Sequence, residues 1–192
     1  MRIIWVISLA LLIAGSMCLA GLDRTSAQKL AKSIHIQATA MGQQTQMGRT
    51  YNITAIINEW STPEDQKILL EAFQTKGNEG LVNALEKMPS KGRLAITGTL
   101  GGDLAYIRKF QQPDGSLVIR MVTNRLLRFG EVWSDTRSSD YQLSGLQINI
   151  SKDGKKKEGT LFPAAQLKVD KQGRLEIEAF QFPWKLVNIM KR

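Results

Sequence analysis

Polar and apolar residues alternate one for one through most of the chain, and a single stretch breaks that rhythm. Ile34, Ile36 and Ala38 alternate with His35, Gln37 and Thr39, the two-residue period of a strand that buries one face. Residues 51–57 repeat the pattern. The short polar run Gly42-Gln43-Gln44-Thr45-Gln46 between them predicts a hairpin with a loose loop. From Gly92 the alternation returns, predicting strands over 93–100, 104–111, 117–124, 143–151, 160–169, 175–182 and 185–190. Turn signals at Pro113-Asp114-Gly115, Asp153-Gly154 and Asp170-Lys171-Gln172-Gly173 separate several of them, and such short connections imply antiparallel neighbours.

The interruption covers residues 62–88 and has helical periodicity. Thr62 suits an N-cap, Pro63 the first helical position, and Glu64 and Asp65 place negative charge where the helix dipole favours it. Ile68, Leu69, Ala72 and Phe73 form one apolar face, and Gly77 stands where a left-handed C-terminal cap is needed. Asn78 then caps a second run, with Leu81, Val82, Leu85 and Met88 on one face until Pro89 stops it. The pattern predicts a helical hairpin. About nine strands with that insertion predict an α+β, mainly β fold, either an antiparallel β-sandwich or a partly closed barrel, with the helices covering an edge or an open end.

The first twenty residues follow neither period. Arg2 precedes an apolar run over residues 3–14, then small residues and a cleavage signal ending at Ala20, the layout of a secretory signal peptide. A membrane-spanning helix needs roughly 20 apolar residues, so an uncleaved anchor is the lesser reading. Lipid attachment at Cys18 ranks last because Met17, not a small residue, precedes that cysteine. The expected organisation is a signal peptide over 1–20, a linker over 21–32, and a single mainly β domain over 33–192 with its helical insertion at 62–88. The expected destination is the periplasm or the extracellular space, with no membrane span once the signal is cut.

Export changes how the composition reads. Cleavage removes the chain's one cysteine, and His35 is the only histidine, so multi-histidine or thiolate metal sites are not expected. No cofactor is expected either. His35 shares a strand face with Gln37 and Thr39 and reads as a surface or strand-pairing residue. The formal net charge of +9 would suggest nucleic acid in a cytoplasmic protein, but an exported one rarely meets it. The densest basic cluster, Lys152 with Lys155, Lys156 and Lys157 around Asp153-Gly154, predicts a hairpin tip. It is either a solvated turn or a contact for anionic lipid, cell-wall polymer or polysaccharide.

Candidate chemistry concentrates in residues 123–141. Arg125, Trp133 and Arg137 combine forked cations with an aromatic ring and are candidates for holding an anionic or sugar-like small molecule or polymer. Glu131 and Asp135 would serve acid/base hydrolysis only if they faced a common cleft. The plainer reading is a polar connection with ordinary salt bridges. Ser26-Ala27-Gln28-Lys29 lacks the companion motifs of a serine acyl enzyme. Gly98-Thr99-Leu100-Gly101-Gly102-Asp103 lacks the lysine and helix of a phosphate loop. No catalytic residue is assigned. Trp60 and Trp184 read as core or core-edge residues, or as the lining of a pocket in a barrel interior.

Several short motifs run through the mature chain: Ser61-Thr62-Pro63-Glu64-Asp65, Lys76-Gly77, Leu81-Val82-Asn83-Ala84-Leu85-Glu86-Lys87-Met88-Pro89, Thr123-Asn124-Arg125 and Asp140-Tyr141. They continue as Glu158-Gly159-Thr160, Pro163-Ala164-Ala165 and Leu175-Glu176-Ile177-Glu178. Their order resembles a family of uncharacterised exported bacterial proteins. The resemblance implies one exported domain and carries no assigned activity or functional residues. The resulting expectation is a non-enzymatic binding or interaction module of the cell envelope or extracellular space. A hydrolase acting on an envelope or extracellular polymer is the alternative, and a structural envelope protein the second.

Overall fold

Residues 33–126, 141–180 and 182–192 are described by the computed structural model. Among them the strands are β1 (Ile34–Met41), β2 (Thr50–Ile57), β3 (Gly92–Ile96), β4 (Gly102–Gln111) and β5 (Leu117–Thr123), followed by β6 (Leu143–Ile150), β7 (Lys157–Val169), β8 (Leu175–Ala179) and β9 (Trp184–Lys191). One helical element, α1 (Pro63–Lys87), lies between β2 and β3. Residues 1–32, including Cys18 and the expected cut at Ala20, lie outside the described residues.

The strands close into a ring. Antiparallel ladders join β1 through β6 in chain order, beginning with Ile34 opposite Ile57 and Met41 opposite Thr50. The long strand β7 completes it. One edge of β7 holds β6; on the other, residues 159–161 hold β9 and residues 165–169 hold β8. Because β9 also pairs with β1, eight strands form a closed antiparallel barrel and β8 is an extra strand outside it. The sandwich expectation is therefore corrected to a barrel, and the barrel is closed instead of partly closed. Closure pairs each of the eight ring strands on both sides, which removes the main hazard of an open sheet.

Alternation along each strand creates two apolar layers. Inward positions such as Ile36, Ile53, Leu94, Met121, Leu146 and Trp184 fill the barrel. On the outside, Leu69, Leu81 and Leu85 of α1 pack with Tyr106, Val122 and Leu167 of the wall and Leu175 of β8. The part of the wall without this cover shows Gln37, Thr39, Asn52 and Thr54 on its outer face. Apolar inside and polar outside is the reverse of the pattern in a barrel whose wall faces lipid. Among the described residues no helix is long and apolar enough to cross a membrane.

The helical element begins as its sequence requires. Asp65 donates its backbone N–H to Thr62 Oγ1 at 3.2 Å, and the Asp65 carboxylate accepts the Thr62 N–H at 2.8 Å, a reciprocal capping box. Non-helical backbone at Lys76 and Gly77 divides the element, with Gly77 at φ 57°, where the sequence predicts the turn. A straight helix would hold residues 72 and 80 about 12 Å apart. A Cβ on Gly80 would instead stand 2.4 Å from the Ala72 carbonyl oxygen, so the second half folds back against the first.

The segment from β2 into α1 is pinned beneath one end of the barrel. Ser61 donates its N–H to the Ile107 carbonyl at 2.7 Å, and Ile107 returns its N–H to Ser61 Oγ at 2.9 Å. Lys91, only 4% exposed, places Nζ 3.2 Å from Glu59 and 3.0 Å from Asp65. Burial alone would push its pKa down, but the two carboxylates reverse this and leave it raised. Asp65 is likewise opposed by burial, yet the Thr62 N–H and Lys91 bring it below its ordinary value. These contacts fix Trp60, which lies between the pinned residues.

Candidate functional site

One end of the barrel is plugged and the other is hollow. At the plugged end Trp184 is 1% exposed and stacks at a tilt on Tyr51, ring centroids 5.2 Å apart, closing the interior behind Leu161 and Leu186. At the other end an apolar cavity of about 290 Å³ opens to solvent. Ile34, Ile36, Ile119, Ile148 and Ile150 line its wall, and Trp60 borders it. An eight-stranded barrel is just wide enough either to fill with side chains or to hold one small ligand. This interior does the first at the Trp184 end and leaves room for the second at the Trp60 end.

Strand register places three lysines at the mouth. Lys109 stands opposite Ile119, Lys157 opposite Ile150, and Lys191 opposite Ile36. Each therefore shares the inward phase of a pocket isoleucine, at the last turn of the pleat before solvent. All three line the cavity, and no carboxylate does. Lys109 Nζ sits 5.3 Å from the centre of the Trp60 ring, a cation–π distance. The basic hairpin tip predicted around Lys152, Lys155 and Lys156 is the β6–β7 connection, so it flanks the same mouth.

Of the residues expected to bind ligand, Arg125 alone is among the described residues. Arg125 is exposed just beyond the end of β5, at the Trp184 end of the barrel, with its carbonyl accepting a hydrogen bond from Thr123 Oγ1. Trp133 and Arg137 lie outside the described residues, as do Glu131, Asp135 and Asp140. His35 takes the outward phase expected of it, opposite Ile56, with its Nε2 3.1 Å from Ser33 Oγ. Among the described residues no cluster of three or more histidine, cysteine or acidic side chains could hold a metal.

Two other features are chemically distinct from the mouth. A groove of about 820 Å³ runs across α1, bordered by charged Asp65, Glu71, Lys76 and Lys87, and is more open to solvent than the barrel cavity. On the outer wall Arg120, 6% exposed, donates to Gln147 and to the Leu175 carbonyl and lies 5.2 Å from the Phe110 ring centre. Nearby, burial pushes the Tyr106 phenol up to about 12, so it remains protonated at neutral pH and is no general base. These contacts hold β8 and the wall together.

No protein-family model matches the chain, and neither the curated proteins nor the solved structures yield a significant match. The site is therefore read from its own chemistry. Sequence reasoning singled out Lys157 within the basic hairpin tip but passed over Lys109 and Lys191, because long stretches of chain separate the three and only the ladder registers bring them to one rim.

Proposed function

We propose that this protein is an exported, non-enzymatic binding module of the cell envelope or extracellular space, and that the barrel mouth holds a small molecule with an apolar body. The observation that supports this reading is the isoleucine-lined cavity of about 290 Å³ at one end of the barrel. Ligand sites are concave and mostly apolar, with a few placed polar groups, and the mouth has that composition. If one carbon group takes up about the volume of a water molecule in the liquid, roughly 30 Å³, the cavity holds on the order of ten. At about 0.8 kcal/mol per buried methylene, the ceiling is about 8 kcal/mol before the entropy of association. The Kd should thus be micromolar or weaker.

The test is titration of the full chain with the neutral apolar fluorophore N-phenylnaphthylamine. Saturable enhancement is expected, lost in Ile150→Glu, which places a carboxylate in the cavity wall. Leu100→Glu, at a fully exposed turn on the opposite end, should retain it. Equal enhancement in both variants would contradict the site. Export is tested separately by N-terminal sequencing of the secreted product, which should begin at Gly21; a product still beginning at Met1 would contradict cleavage.

A further inference from the structure

The mouth is not only apolar; its charge is of one sign. Lys109, Lys157 and Lys191 come from three different strands, yet all occupy inward register positions at the rim. Among the described residues none of the three has an ion pair within the salt-bridge distance. By contrast, neighbouring cations are paired: Lys156 with Glu158 at 2.9 Å, and Lys91 with two carboxylates. The opposite-sign charges near the rim are thus already engaged with other cations. Uncompensated ammonium groups ringing an apolar opening raise the local concentration of anions and orient them head outward.

Resting on the barrel-mouth reading, we infer that the ligand is a single-chain anionic amphiphile, its apolar chain lying among the isoleucines and its anionic head held by Lys109, Lys157 and Lys191. Volume favours one chain over two. A cavity for about ten carbon groups takes a medium-length chain, whereas a two-chain lipid would leave most of its apolar surface outside. The lysine stems extend the apolar wall while their ammonium groups stay in water, which suits a ligand that changes character at the rim. Lys109 is the best placed of the three, because its position over Trp60 holds the ammonium beside the opening.

Competition against bound N-phenylnaphthylamine tests this with decanoate, decanol and decyltrimethylammonium, which share a chain and differ in head charge. Decanoate should displace the fluorophore at a concentration about tenfold lower than decanol, since exposed ion contacts are individually weak, and the cationic analogue should be the poorest. Raising the salt concentration should shrink the preference. The triple variant Lys109→Gln, Lys157→Gln, Lys191→Gln should lose it, while Lys185→Gln, next to Trp184 at the plugged end and opposite Met41, should not. Equal displacement by decanoate and decanol overturns the headgroup inference and leaves the apolar site standing. Failure of every chain to displace overturns the site itself. Co-sedimentation with phosphatidylglycerol vesicles without any decanoate preference would also overturn the inference, assigning the lysines to a bilayer surface instead.

Discussion

Lys91 illustrates how a single buried charge fixes the approach to the candidate site. Its ammonium joins Glu59, ahead of Trp60, to Asp65, in the first turn of α1. Substituting Lys91→Met keeps the volume but leaves Asp65 without its cation. Loss of a fully buried pair costs about 3–5 kcal/mol; Glu59 reaches solvent here, so a loss of about 2 kcal/mol is expected by guanidinium denaturation at neutral pH. The pH dependence has a definite sign. The folded pKa of Asp65 lies below its ordinary 3.8, so its stabilisation is complete above that value and disappears as acid passes the folded pKa. Lys91 is raised above 10.5, so its stabilisation is complete below that value and disappears as base passes the folded pKa. The gap between the native protein and Lys91→Met should therefore be constant through neutrality and narrow in acid below 3.8. A gap unchanged in strong acid would contradict the pair.

At the scale of elements, α1 separates what is locally written from what is not. Thr62, Pro63 and Asp65 mark the start because capping involves residues within one turn, and Thr62→Ala should cost about 1 kcal/mol. The reversal at Lys76–Gly77 is equally local, since only a left-handed position there calls for glycine. Gly80 is different. Its need for a bare backbone comes from the Ala72 carbonyl in the facing half, a contact no periodicity reveals. Gly80→Val should force the halves apart and lower stability by about 2–3 kcal/mol, measured by thermal or denaturant unfolding; a neutral result would mean that the halves are not held together. Most strand boundaries were legible because alternation reports which face is buried, but β3 stops at Ile96 and β8 at Ala179, short of the predicted 100 and 182.

The whole molecule was legible in kind but not in closure. Nine strands and an insertion follow from pattern, whereas the decision between sandwich and barrel lies in one non-local event: β9 passes over β8 to pair with residues 159–161 and then with β1. Short turns predict neighbours along the chain and carry no information about a strand that skips one. The candidate site shares that fate. Its isoleucines read as ordinary strand core, Lys157 as part of a basic hairpin tip, and Lys109 and Lys191 as scattered surface charge, until the ladders place them on one rim. Arg125 was singled out on a dense local mixture of functional groups, and it stands exposed beyond the end of β5, away from that rim.

The central claim, that the hollow end of the barrel accepts an apolar chain, is tested most directly by crystallography of the full chain with bromodecanol, using the anomalous signal of bromine to find the ligand. The account predicts a bromine peak inside the barrel, among Ile36, Ile119 and Ile148, with the hydroxyl end toward Lys109, Lys157 and Lys191. A peak confined to the groove across α1, or a barrel mouth without ligand at saturating concentration, would contradict it.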